Sequence, residues 1–303
     1  QCAFVSASTE HHEIRLAAEF LKGEIKANPN GRFALIVPEM DRYRDLIESG
    51  LEQVFGGDNS VTSNKLWGFA GGRRLCEYPM VAIAIDVLLL ASSPSAEVWS
   101  RVIRSPFISG YNEESDQRAQ LDLKVRAIPK RNITIKNVIA LAASYMPESN
   151  LTAQLNDFAH SIQEQPNSMA TTKWSVAMDR QLRAIGWLGD RTLTSTEYQT
   201  HSAWYKQLSV FVSIDAQVGK VMQSAAVGWL RELISGKRFE PENNNYRPIL
   251  VLSHWDALCV QFDAAWVVGM NSQEMPKPAE PSPFLPIELQ EMAGVPEASP
   301  ALT

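Results

Sequence analysis

The sequence has few cysteines and no long apolar run. Its three cysteines, Cys2, Cys76 and Cys259, stand far apart with no C-x-x-C pair and no zinc-ligand spacing, which favours buried thiols. The longest apolar stretch, residues 80–91, is interrupted by Asp86 and falls short of the roughly 18 residues of a membrane helix. The first residues also lack a secretory signal. These absences predict a cytoplasmic protein without a membrane partner.

A nucleotide-binding P-loop is missing as well. The glycine-rich residues 68–74 lack its lysine and hydroxyl pair, so we interpret them as a turn, with a phosphate contact as the alternative. No serine lies in a nucleophile elbow. Residues 11–13, His-His-Glu, start a predicted helix, where adjacent side chains diverge, so a solvated first turn is favoured over a metal site. The chain therefore shows no catalytic residue, metal site or cofactor site.

The charge is unevenly distributed along an otherwise ordinary globular composition. The chain of 303 residues is 45% hydrophobic and carries a net charge of −6. Residues 1–59 carry 6 basic and 10 acidic side chains, residues 60–240 carry 20 and 16, and residues 241–303 carry 2 and 8. The net charge argues against a protein whose whole surface binds nucleic acid, whereas the positive middle suggests a unit with its own task.

The two ends of the chain have the pattern of an α/β domain. We predict a strand over residues 3–7, followed by a helix that Thr9 caps and whose apolar residues have helical spacing. We then predict a strand buried on both faces over residues 33–37, and a second helix that Asp41 caps. Residues 249–252 and 264–268 predict two more strands without helices to cover them. We expect all these strands to share one mainly parallel sheet.

The middle of the chain has helical spacing almost throughout. Pro79 suits the first turn of a core helix that extends to Ala91. The predicted architecture is an α/β domain of residues 1–62 and 246–303 with an all-α insertion of residues 63–245. Further helices are predicted over residues 95–104, 116–124, 134–145, 151–164, 173–188, 195–212 and 218–235.

Three groups of residues could contact a ligand. His254, Trp255 and Asp256 follow a strand's carboxyl end, where open α/β sheets bind ligands, although loop packing is the alternative. A basic cluster is opposed only by Asp122 between residues 121 and 136, and could receive a DNA backbone or form a solvated face: it comprises Lys124, Arg126, Lys130, Arg131 and Lys136. Five tryptophans in helical patterns favour core packing over base stacking: Trp99, Trp174, Trp187, Trp204 and Trp229.

The last third carries the most specific motif. Residues 251–270, VLSHWDALCVQFDAAWVVGM, and residues 282–290, SPFLPIELQ, resemble the region around helicase motif V in AddB-like bacterial DNA repair and recombination proteins. Residues 7–37, 78–90 and 104–122 resemble upstream parts of the same family. The positions that match its motif are Asp256, Phe262, Asp263, Gly269, Pro283, Phe284, Pro286 and Gln290.

The resemblance implies a fold and a function. Members of this family resemble a superfamily 1 helicase followed by a PD-(D/E)XK nuclease, so the chain would be a RecA-like 2A-type domain with a helical 2B-type insertion. It would be part of a longer protein, handle single-stranded or duplex-end DNA, and pair with a helicase-nuclease subunit. His254, Trp255 and Asp256 would then border the DNA groove between domain and insertion.

Two departures from the family pattern weaken the expected ATPase activity. Active relatives carry an arginine after the motif IV strand, where this chain has Pro38, and a lysine-glycine pair where it has Leu258-Cys259. We therefore expect a DNA-handling scaffold without ATPase activity. Two alternatives stay open: a stand-alone cytoplasmic α/β enzyme or ligand-binding module that uses the His254/Asp256 corner, and a scaffold whose helical unit docks a partner.

Overall fold

The computed structural model describes residues 2–56, 65–129, 131–242, 246–258, 260–271, 279–295 and 298–299. Lys130 and Cys259 lie outside these ranges. The elements, in chain order, are α1 (Glu10–Ala27), β1 (Phe33–Val37), α2 (Met40–Phe55), β2 (Trp67–Phe69), β3 (Arg73–Arg74), α3 (Pro79–Leu89), α4 (Ala96–Ile103), α5 (Tyr111–Arg126), α6 (Ile135–Tyr145), α7 (Asn150–Gln163), β4 (Ser168–Met169), α8 (Thr171–Ala184), α9 (Ser195–Ser213), α10 (Asp215–Val218), β5 (Val221–Met222), α11 (Gln223–Gly236), β6 (Arg238–Phe239), β7 (Ile249–Ser253), α12 (His254–Ala257), β8 (Ala264–Val267) and α13 (Ile287–Met292).

The chain divides into two compact units. One comprises residues 1–71 and 244–303, and the other comprises residues 72–243. The sequence predicts the divisions at 62/63 and 245/246. The first differs because β2, which the sequence assigns to the insertion, pairs with β7 in the sheet.

The first unit contains a four-stranded parallel sheet in the order β2-β7-β1-β8. Central β1 is flanked by strands from the far end of the chain, with Leu35 opposite Val251 on one side and Trp266 on the other. The apolar side chains of β1 are almost all buried, as expected for a central strand of a parallel sheet. The predicted sheet shared by both chain ends is thus confirmed.

The helices of this unit follow from local sequence. The Thr9 hydroxyl accepts a hydrogen bond from the His12 backbone N–H at 3.1 Å, which caps α1 as predicted. The buried face of α1 consists of the residues at helical spacing, such as Ile14 and Leu21. Gly50 lets α2 pack closely against α1, because a Cβ there would lie 2.6 Å from Ile14 Cγ2.

Three local predictions are wrong. Residues 3–7 form no strand, and Phe4 is 89% exposed, because an apolar run becomes a strand only where a neighbour completes its hydrogen bonds. Asp41 lies in the first turn of α2, whose N-cap is Glu39. The Cys2 thiol is exposed and Cys76 is half-buried.

The second unit is largely helical, as predicted. Each predicted helix is present with bounds shifted by a few residues; α5 begins at Tyr111 rather than Asp116. Two short antiparallel ribbons, β3–β6 and β4–β5, were not predicted. Trp99, Trp174 and Trp204 are fully buried in its core, and Trp187 nearly so, which confirms the packing interpretation for these four.

Two further sequence expectations concern the glycine-rich segment and the membrane. The backbone turns at residues 70–71, and Gly72 has a φ of +64°, with Phe239 O only 2.2 Å from where a Cβ would lie. This segment is therefore a turn that requires glycine. Within the described ranges, no helix combines the length and the apolar character needed to cross a bilayer.

Candidate nucleic-acid interface

The carboxyl end of β7 leads directly into the short helix α12. The Ser253 hydroxyl accepts a hydrogen bond from the Asp256 backbone N–H at 3.2 Å and lies 2.7 Å from the Asp256 carboxylate, to which it donates. The Ser253 hydroxyl therefore caps the first turn of α12. The Asp256 carboxylate is held in place by the hydrogen bond that this hydroxyl donates to it.

Two aromatic rings lie on this turn. Trp255 is 71% exposed, and its ring centroid is 4.9 Å from that of His254, with an angle of 45° between the planes. His254 Nδ1 is buried and has no hydrogen-bond partner among the described residues. The carboxyl edge of the sheet thus presents a large indole to solvent, backed by an imidazole, and such a surface can stack on a planar group.

The motif residue Asp263 lies at the opposite edge of the sheet. Its carboxylate accepts a hydrogen bond from the Arg32 backbone N–H at 2.7 Å, and its own N–H donates to the Arg32 carbonyl at 2.8 Å. The half-buried Phe262 precedes it. Asp263 therefore joins the amino ends of β1 and β8, and lies away from the His254 corner.

Gly269, another motif position, completes the carboxyl edge of the sheet. Its φ is +72°, and a Cβ there would lie 2.9 Å from Pro38 Cγ. Its N–H donates to the Glu13 carboxylate at 3.0 Å. Glu13 thus connects α1 to the end of β8, a role that the sequence did not indicate.

The neighbouring histidines do not form a metal centre with Glu13. The Ser8 N–H donates a hydrogen bond to His12 Nδ1 at 3.4 Å. The His12 imidazole therefore lies over the start of α1. Among the residues that the structure describes, no group of three or more His, Cys, Asp or Glu side chains is arranged to hold a metal ion.

The proline-rich motif forms a loop organised by Gln290. This side chain is 2% exposed; its carbonyl accepts from the Ser282 N–H at 2.9 Å, and its amide donates to the carbonyls of Ser282 and Leu285 at 3.0 and 2.8 Å. Three hydrogen bonds thus hold the loop against α13. The loop contains Pro283, the exposed Phe284 and Pro286, which is the N-cap of α13.

The basic cluster lies in the helical unit, and its members differ in what they contact. Arg126 donates to the Asp122 carboxylate at 3.1 Å and to the Ser100 hydroxyl at 2.5 Å, so its charge is already engaged. Lys124 Nζ lies 5.3 Å from the ring centroid of the exposed Tyr145, and Arg131 is exposed. Neither Lys124 nor Arg131 has an ion-pair partner within the described ranges.

Buried carboxylates in the same region were missed at the sequence level. Asp122 lies between Arg126 and Arg104, whose guanidinium is 3.8 Å away, and Asp86 binds Arg101 through two bonds of 2.6 and 2.8 Å. The sequence signal was available only in part: the i,i+4 spacing predicts the Asp122–Arg126 pair, but not Arg101 on Asp86. Arg101, Arg104 and Arg126 are therefore paired with carboxylates and are not free to contact phosphate.

Comparison with protein-family models and with curated proteins gives no match for this chain. Its function is therefore inferred from the contacts described above.

Proposed function

We propose that the chain is the second RecA-like domain of an AddB-like DNA repair protein together with its helical insertion. In this proposal it is a DNA-handling scaffold without its own ATPase or nuclease site. The observation that carries the proposal is the exposed Trp255 at the carboxyl edge of a parallel sheet built from both chain ends. Ligands of open α/β sheets bind at that edge.

The chemistry of two surfaces supports contact with single-stranded DNA. Trp255 offers a face on which any base can stack, and this contact requires no particular sequence. In the helical unit, Lys124 beside Tyr145 combines a cation with an exposed ring, and Arg131 adds a second cation. Such pairs contact phosphate and base together.

The absence of ATP turnover is part of the proposal. Pro38 stands where active relatives of the resembled family have a phosphate-sensing arginine, and it packs against Gly269. Phosphoryl transfer depends on positioned cations and a phosphate cradle. We expect that the purified protein does not hydrolyse ATP. ATP hydrolysis that is abolished by mutation of a residue in this chain would contradict the proposal.

A titration of labelled single-stranded DNA at low and moderate salt tests the DNA contacts. We expect weak, salt-dependent binding that falls about tenfold in the Lys124→Glu/Arg131→Glu variant, because phosphate contacts are lost. Trp255→Ala should weaken binding at both salt concentrations, because stacking is not screened. Adding Lys130→Glu should weaken binding further.

The matched control is Lys173→Glu/Lys220→Glu, which changes the net charge equally at exposed positions of the same unit. If the control weakens binding as much as the Lys124/Arg131 variant, only net charge matters and the proposed surface is wrong. If no DNA binds even to the protein restored to its full gene length, the DNA role itself is rejected.

One observation favours a second function. The buried, unpartnered His254 Nδ1 at the carboxyl edge is unusual and would suit a stand-alone α/β enzyme or ligand-binding module. The full-length gene discriminates between the two. A P-loop upstream or a nuclease D…E-x-K pattern downstream favours the DNA repair protein, whereas a complete reading frame of this length favours the module.

A further inference from the structure

A pocket of about 600 Å³ opens in the helical unit between α9, α10 and α11. Its apolar lining comes from Ile214, Val218, Trp229 and Leu233, all of which are half-buried. This volume is within the range of small-molecule sites, which are mostly apolar with a few polar groups that orient the ligand. The pocket is widely open to solvent, and it has the volume and the mostly apolar walls of a small-molecule site.

One polar side chain in this pocket is nearly buried. Gln207 on α9 is only 8% exposed, lines the pocket, and makes no side-chain hydrogen bond to any residue that the structure describes. Its amide atoms are not fully enclosed, so they remain accessible from the pocket. A ligand in the pocket therefore has access to both the donor and the acceptor of this carboxamide.

Trp229 differs from the other tryptophans of the helical unit. Trp99, Trp174 and Trp204 are enclosed in the core, whereas Trp229 is half-buried and lines the pocket beside Leu233. An indole in a pocket wall favours flat aromatic ligands, since aromatic pairs gain energy beyond the area that they bury. The pocket thus combines an aromatic wall with the nearly buried carboxamide of Gln207, and the exposed Gln217 adds a second carboxamide.

We infer that this pocket binds a planar heteroaromatic ring with a hydrogen-bond donor beside an acceptor, which is the chemistry of a nucleobase. A carboxamide offers a donor and an acceptor side by side and pairs with such an edge in two bonds. The ring comes either from a free nucleoside or from an unstacked base of a DNA strand.

The rim of the pocket disfavours a highly charged ligand. Glu232 and Lys237 both line it, and their opposite charges leave little net field at the entrance. A neutral nucleoside should therefore bind with little dependence on salt. The inference does not rest on the proposed function, because it uses neither Trp255 nor the basic cluster.

Two variants of the full chain test the pocket, with adenosine and cytidine as probes in calorimetric titrations. Gln207→Leu removes the carboxamide and should weaken nucleoside binding about tenfold or more, because the base edge loses its partner. It should not lower the melting temperature, since no internal hydrogen bond is lost. Gly236→Leu places a side chain in the pocket, where a Cβ meets nothing within 4 Å, and should abolish binding.

The matched control is Gly228→Leu on the same helix. A Cβ at Gly228 also meets nothing within 4 Å, but this residue is not part of the pocket lining, so binding should be unchanged. The inference is overturned if neither nucleoside binds at millimolar concentration, or if both bind Gln207→Leu and Gly236→Leu as tightly as the unaltered protein.

A competition experiment identifies the source of the ring. If oligo(dA) displaces adenosine and an abasic oligomer of the same length does not, the ring is a base of DNA; if neither displaces it, the ring is a free nucleoside. Both results support the pocket. Because Lys124→Glu/Arg131→Glu leaves the pocket intact, nucleoside binding by that variant separates this inference from the proposed DNA surface.

Discussion

Single carboxylates organise this protein through hydrogen bonds to partners both near and far in the sequence. Glu197 is an example from the helical unit. It forms a capping box with Thr194 at the start of α9, and its carboxylate accepts from Arg191 at 2.9 Å. The hydrogen bond from Arg191 is the main cause that lowers the pKa of Glu197 from 4.5 to about 2.

This pKa predicts how stability depends on pH. The carboxylate is favoured in the folded state, so its contribution is complete above pH 4.5 and disappears as the pH falls towards 2. Because solvent screens the pair, we expect about 1 kcal/mol. Urea unfolding at several pH values should show this loss in the unaltered protein and not in Glu197→Gln. A parallel loss in the variant would contradict the assignment.

Asp263 makes a comparable contribution in the α/β unit, through the backbone of Arg32. Removing the carboxylate leaves the Arg32 N–H without this partner. We expect Asp263→Ala to lower the free energy of unfolding by about 1–2 kcal/mol. Asp263→Asn keeps an acceptor and should lose less. Equal losses in the two variants, measured by urea unfolding, would show that the hydrogen bond to Arg32 is unimportant.

At the scale of elements, two glycines in neighbouring helices have opposite roles. A Cβ at Gly50 in α2 would lie 2.6 Å from the buried Ile14 of α1, whereas a Cβ at Gly23 in α1 meets nothing within 4 Å. Helix propensity favours alanine at both positions. Packing therefore determines whether alanine stabilises or destabilises the protein at Gly50, and helix propensity determines it at Gly23.

The two alanine substitutions form a matched pair. We expect Gly23→Ala to stabilise the protein by about 1 kcal/mol, since alanine restricts the unfolded chain and favours the helix. Gly50→Ala should destabilise it by about 1–3 kcal/mol, because α1 and α2 must move apart. Thermal unfolding measures both changes. A stabilised Gly50→Ala variant would mean that the helices do not pack this closely.

At the scale of the whole molecule, the two units differ in how the chain builds them. The helical unit is one continuous segment with its own core, which includes Trp99, Trp174 and Trp204. The α/β unit draws its core from both chain ends, and β1 has a neighbour from the carboxyl-terminal end on each side. Only the helical unit has all its parts in one segment.

This difference predicts the outcome of truncation. Residues 72–243 expressed alone should be helical and unfold cooperatively, because a domain with its own core folds independently. Residues 2–71 alone should stay unfolded, because β1 loses both β7 and β8. Circular dichroism and thermal melts distinguish these outcomes. A cooperative transition in residues 2–71 would show that the shared sheet is not required.

Much of the candidate interface could be located from the sequence but not interpreted. The apolar run before His254 and its position after a strand placed Trp255 and Asp256 at the carboxyl edge of the sheet. Whether a carboxylate is free or bonded depends on its surroundings, and the structure shows Asp256 bonded to Ser253. No sequence signal indicated the pocket around Gln207, because helical spacing does not show which polar side chains face a pocket.

Local sequence predicted the long helices and the strands β1, β7 and β8, since helical and strand periodicity are properties of neighbouring residues. It also determined that β1 and β7 share a sheet, because strands that are apolar on both faces must be covered by other elements. Contacts between distant segments leave residues 3–7 outside that sheet and bring β2 into it. They also pair Asp263 with Arg32 at a separation of 231 residues. Such choices depend on which distant backbone groups meet, and local periodicity carries no information about that.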